Sequence, residues 1–260
     1  MNAIFDRCGT PVIRAFVLTL GLLGWTASSW GADPFAEGVR PTPWLKPEEE
    51  QARFKLPPGF EIQLVAAEPD INKPLNLAFD ATGRLWVTTS IEYPYAAPTN
   101  RPARDRLMIF DDFGPDGRAR KVTEFAGGLN IPIGIYPFLS RNADGRSTWK
   151  AVVWSIPNIW LFEDSDGDNK ADRRDVLYGP FDHTRDTHGN QASFRRGFDG
   201  WLYATHGYNN DSHVKGRDGR QVDLNSGNTY RLQLDGSRLV HHTHGQVNPF
   251  GLAFDPFGNL

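Results

Sequence analysis

The sequence predicts an all-β fold, a β-propeller of four-stranded blades, and three observations carry that prediction. One hairpin pattern occurs three times, as LNLAFDATGRLWVTT from Leu75, ASFRRGFDGWLYATH from Ala192 and FGLAFDPFGNL from Phe250. Each copy is a short apolar strand, a turn rich in Asp and Gly, and a second strand. A second hairpin, IFDDFGPDGRARKVTEF from Ile109, aligns without gaps with LFEDSDGDNKADRRDVL from Leu161, 52 residues later. Glycine and proline are plentiful, at 26 and 19 residues, and no long amphipathic helical pattern accompanies them. Two hairpins per unit of about 50 residues are what a four-stranded propeller blade requires.

In chain order, Arg7 and Arg14 precede an uncharged, mainly apolar run from Ala15 to Trp25, and small residues follow at Ser29 and Gly31. That order predicts a secretory signal peptide over 1–31, cleaved near Gly31 or Ala32. The run is shorter than the roughly 20 residues of a membrane-spanning helix. Export to the periplasm or the medium is therefore expected, with association at a membrane surface left open. Without residues 1–31 the chain has 26 basic and 30 acidic residues, a net charge of −4. This balance excludes a nucleic-acid footprint and a polybasic membrane patch. The only cysteine, Cys8, lies in the signal segment, so no disulfide and no CxxCH haem site are expected in the exported chain.

Residues 32–56, rich in Pro and Glu, read as a leader or linker. The propeller is expected over 57–260, with blades at about 57–126, 127–178 and 179–245. A fourth blade begins at Gln246 and stops halfway through a hairpin. The sequence thus reads as an N-terminal fragment of about three and a half blades.

The acidic turn DSDGDNKADRRD places carboxylates at positions 1, 3, 5, 9 and 12, namely Asp164, Asp166, Asp168, Asp172 and Asp175, with a backbone carbonyl at position 7 from Lys170. That is the ligand spacing of a calcium loop. Asn169 stands where glycine is usual, a substitution Asn tolerates because it visits the left-handed region. The bland alternative is a solvated turn, as the equivalent segment from Asp112 to Thr123 suggests.

Thr-His-Gly occurs at 187–189, 205–207 and 243–245. With 197–200 as a turn, antiparallel pairing opposes residues 191 and 206 and brings His188 and His206 to the open end of the hairpin, on the face away from the acidic turn. A histidine at a strand end is most often a polar rim residue, the reading favoured for His206, His213 and His244. His188 is better placed for chemistry, because Asp182, Arg185 and Asp186 lie just upstream and could orient the imidazole of a general base.

LNLAFDATGRLWV, DRLMIFDD, SDGDNKADRRDVL, THGNQASFRRGFDGWLY and NPFGLAFDPFGNL resemble, in that order, the propeller of the membrane-bound dehydrogenases related to the soluble glucose and sorbosone quinoprotein dehydrogenases. The resemblance implies a six-bladed propeller that oxidises a sugar or alcohol hydroxyl, with pyrroloquinoline quinone as cofactor and a c-type haem domain C-terminal to these residues. It puts His188 in the place of the general base, assisted by Asp186, with Arg185, His206 and Asn248 as cofactor contacts. Asn248 and Pro249 match an Arg-Asn-Pro motif whose arginine holds the quinone, but here that position is Val247. The alternative function is a non-catalytic, calcium-stabilised propeller that binds a carbohydrate or a protein partner.

Overall fold

The computed structural model describes residues 43–141 and 144–260; the expected signal peptide and residues 32–42 of the leader lie outside these. Residues 45–260 form one unit. They comprise three four-stranded antiparallel sheets in chain order, preceded by a short helix, α1 (Pro47–Gln51). The first blade contains β1 (Pro74–Phe79), β2 (Leu85–Thr89), β3 (Asp105–Phe113) and β4 (Ala119–Leu129). The second contains β5 (Ile135–Arg141), β6 (Ser147–Ser155), β7 (Asn158–Asp164) and β8 (Arg173–Tyr178). In the third, β9 (Gln191–Arg196) and β10 (Leu202–His206) continue into β13 (Asn228–Leu232) and β14 (Leu239–Thr243). The all-β blade architecture is the one the repeats predict.

Three details differ from the sequence reading, the first being that residues 246–260, expected to open a fourth blade as a hairpin, hold its turn but no strand. Residues 57–73 hold no strand; Val65 instead accepts a hydrogen bond from the amide of Ala119 at 3.0 Å. Within 208–226, a separate hairpin that the repeats do not announce forms from β11 (Ser212–Lys215) and β12 (Gln221–Leu224). Val214 is buried between exposed His213 and Lys215, an alternation too short to stand out in the sequence.

The blades stack through sheet faces. Ala151 and Val153 of β6 pack toward Trp86, Leu107 and Phe125 of the first blade. Val152 and Trp154, on the other face of β6, pack toward Phe194, Leu202, Ala204 and Tyr230 of the third. Both faces of this strand are covered, which is why AVVW reads as an unbroken apolar run instead of an alternation. Burying each such side chain contributes about 1.5–3 kcal/mol. The first strands of the blades, β1, β5 and β9, line a concavity of about 310 Å³ with Leu77, Phe79, Tyr136, Phe194 and Arg196 on its walls.

The three copies of the inner motif share one turn, flanked by strands in the first two. Gly83, Gly200 and Gly258 close it with φ of +85°, +84° and +87°, a region open to glycine at little cost. In each, that glycine's amide returns to the carbonyl three residues earlier. The turn aspartates of the first and last copies, Asp80 and Asp255, cap it by accepting backbone amides two and four residues ahead. Asp80 does more. It is buried, and it also accepts the Trp86 indole and the Arg84 guanidinium, each at 2.7 Å. Burial works against its charge, but hydrogen bonds from Trp86, Thr82 and Arg84 outweigh it and hold the carboxyl below its ordinary range.

Candidate functional site

The face opposite the inner turns is formed by residues 90–104, 130–134, 179–190 and 207–211. It is braced from beneath by buried polar groups. Asp105, 1% exposed, accepts the Ser90 hydroxyl and the amides of Ile91, Glu92 and Ile131. Glu92 accepts both Nη atoms of Arg101 at 2.6 Å and the Arg104 amide at 3.1 Å. The Arg101 pairing outweighs burial and holds the Glu92 carboxyl down at about 2. Residues 91–93 are thereby fixed in one place.

Two of the three Thr-His-Gly segments interlock. His206 pairs with Gln191 across the hairpin, the register expected from the turn. Gly189 then packs on the backbone of Tyr208, and a Cβ added to Gly207 would lie 2.6 Å from Gly189 Cα. Both glycines are required by close backbone approach. Gly245 of the third segment has open space around it. His244 lies near His241, ring centroids 6.0 Å apart, while His242 packs edge-on against Tyr203.

His188 is exposed at the crossing, and its imidazole Nδ1 meets the hydroxyl of Tyr93 from the first blade. The two rings are edge-to-face, 5.1 Å between centroids. Thr187 Oγ1 donates to the carbonyl of Pro94, a second tie between the same loops. Asp186 does not orient the imidazole as expected; its Oδ1 accepts the backbone amide of His188 at 2.7 Å. Tyr93 was missed from sequence because it lies 95 residues from His188. Tyr208, whose backbone packs on Gly189, is exposed.

The cofactor contacts implied by the resemblance do not gather around a charged ligand. Arg185 pairs with Asp211 at 2.7 Å. Asn248 Oδ1 accepts the Tyr208 amide at 3.1 Å. His206 is fully buried, not a rim residue, and its Nε2 meets Ser212 Oγ at 2.9 Å beneath the β11–β12 hairpin. Burial pushes its imidazole below the ordinary histidine range. Val247 is exposed and apolar, with its carbonyl accepting from Ser226. This set offers no uncommitted cation to a quinone carboxylate, so these residues do not fit pyrroloquinoline quinone.

Of the acidic-turn residues, Asp164, Asp166 and Asp172 bring carboxylate oxygens within 4.8 Å of one another. Asp164 is buried and caps the turn, accepting the amides of Gly167 at 2.7 Å and Asn169 at 3.0 Å. Asp168 bonds the Lys170 amide instead, and Asp175 sits on β8 opposite Leu161. Asn169 adopts φ of +67°, the left-handed conformation expected of it. Its Oδ1 accepts from Arg84 at 2.5 Å, which places the acidic turn on the same face as the β1–β2 turn.

A domain of unknown function, DUF7133, matches residues 46–260. The chain belongs to the DUF7133 family. No curated protein matches it. Among the described residues of this DUF7133 chain, no helix is long and apolar enough to cross a membrane.

Proposed function

We propose that the loop face around His188 binds a hydroxylated small molecule, a sugar or polyol. The observation that carries this reading is the exposed imidazole of His188, held by the Tyr93 hydroxyl and edge-on to its ring where loops of the first and third blades meet. An imidazole beside an aromatic ring offers a hydroxyl compound both a polar contact and an apolar face. Calorimetric titration with a panel of monosaccharides, disaccharides and polyols tests it. Binding that weakens about tenfold or more in His188→Ala supports the reading, since a polar group lost from a binding site costs about 1.5 kcal/mol. No heat with any member of the panel would sink it.

A second reading has the same imidazole take the proton of the bound hydroxyl as the compound is oxidised. The resemblance of THGNQASFRRGFDGWLY to the quinoprotein dehydrogenases favours it. It needs an electron acceptor held by residues other than 185, 206, 247 and 248. Dye-linked oxidation of the same panel separates the two readings. Export, in either case, rests on the sequence of residues 1–31.

Calcium at the acidic turn belongs to the same proposal, as a stabiliser on the face away from His188. Its support is the three gathered carboxylates, whose mutual repulsion a hard cation would offset. At 100 times its dissociation constant, calcium would add about 2.7 kcal/mol, a rise in Tm of roughly 5–10 °C for a domain of this size. A Tm unmoved by chelator, in wild type and Asp166→Ala alike, would leave a solvated turn.

A further inference from the structure

What His188 can offer a ligand depends on which ring nitrogen carries the hydrogen, and that is set by the partner of the other nitrogen. Here Nδ1 meets the Tyr93 hydroxyl. Asp186, the neighbouring carboxylate in sequence, accepts the backbone amide of residue 188. Among the described residues no group bonds Nε2. A phenol is a much stronger acid than a neutral imidazole N–H. A bare imidazole nitrogen is likewise a stronger base than a phenol oxygen, whose lone pair is drawn into its ring. The stronger donor therefore meets the stronger acceptor when the Tyr93 O–H donates to Nδ1. The neutral ring then carries its hydrogen on Nε2.

We infer that Tyr93 is a positioning residue that holds His188 as the Nε2–H tautomer, so that the site presents its ligand with a hydrogen-bond donor and not with a base. The inference rests on the reading of His188 as the ligand-contacting group. It narrows the ligand chemistry to an acceptor oxygen, such as a ring or hydroxyl oxygen of a sugar, at Nε2. The hold on Tyr93 comes from both loops. The first blade fixes it through the Glu92–Arg101 pair and the Asp105 bonds to the amides of residues 91 and 92. Lys73 Nζ donates to the Tyr93 carbonyl at 3.0 Å, and Thr187 reaches the next carbonyl, that of Pro94, from the histidine's own loop. A backbone braced in this way narrows where the Tyr93 hydroxyl can lie, as a selective donor requires.

Long-range 1H–15N correlation spectra of the full chain, labelled with 15N-histidine and recorded above the imidazole titration range, read the tautomer directly. The expected result is a single His188 form, protonated at Nε2 and bare at Nδ1. In Tyr93→Phe it becomes a mixture of both tautomers, while resonances remote from the two loops stay in place. Affinity for the best sugar should fall about 2- to 10-fold in that variant, the worth of one net hydrogen bond. His188 protonated at Nδ1 in the wild type would overturn the inference and give the ring the free Nε2 that a general base needs. The same mixture in both proteins would overturn it too. Failure of the wild type to bind any sugar would instead remove the proposed function and leave the tautomer assignment standing.

Discussion

Gly189→Ala is expected to lower stability by about 3 kcal/mol, the upper end for overpacking where backbone and not side chain must give way. Its new methyl would be driven into the backbone of Tyr208, where the segments at 187–189 and 205–207 cross. Tm should fall by roughly 6–12 °C at 2–4 °C per kcal/mol. Ligand binding should be lost with it, because separating the two segments moves His188 away from Tyr93. Gly251→Ala, at a glycine with open space around it, is the control and should leave both properties unchanged. Equal melting temperatures for the two variants would show that the crossing is not tightly packed.

Asp80→Ala should cost about 3–5 kcal/mol, the range for removing one partner of a buried ion pair. The change strips acceptors from the buried Trp86 indole, the Arg84 guanidinium and the Thr82 side chain at once. Arg84 would remain against the Trp149 ring, 4.4 Å from its centroid, with Asn169 as its hydrogen-bond acceptor. Asp80→Asn keeps the shape and one acceptor oxygen, so it should lose less. The acid response checks the sign. Because folding depresses this carboxyl below its unfolded value of 3.8, its stabilisation is fully present above that pH and is lost as pH falls below it. The wild type should therefore lose its advantage over Asp80→Ala in acid. A denaturation midpoint unchanged by Asp80→Ala at neutral pH would contradict the network.

The parts of the molecule that follow local rules were legible in the sequence. Turn chemistry and two-residue alternation were enough to find the inner hairpins of the first and third blades, the strand–acidic turn–strand repeat and the pairing of Gln191 with His206, although in 250–260 they gave a turn without strands. What escaped detection depends on contacts between blades. His206 looks like a rim residue because it ends a strand, and only the β11–β12 hairpin, with Ser212 on its ring, encloses it. Tyr93 carries no motif; its place beside His188 follows from how the first and third blades pack on opposite faces of the second. The Asp186 carboxylate lies two residues from His188, close enough in sequence to suggest a bond to the ring, yet a short local turn takes it to the backbone amide. In the acidic turn, spacing alone nominated five aspartates, but β8 begins at Arg173 and carries Asp175 away from the other carboxylates.

The central claim, that a loop of the first blade and the loop entering the third form a ligand site around His188, is tested most directly by amide hydrogen exchange with and without the best-binding sugar. The expected result is added protection in residues 90–104 and 182–190, absent in His188→Ala, with 164–172 on the opposite face unchanged. Protection confined to 164–172, or to neither face, would contradict it.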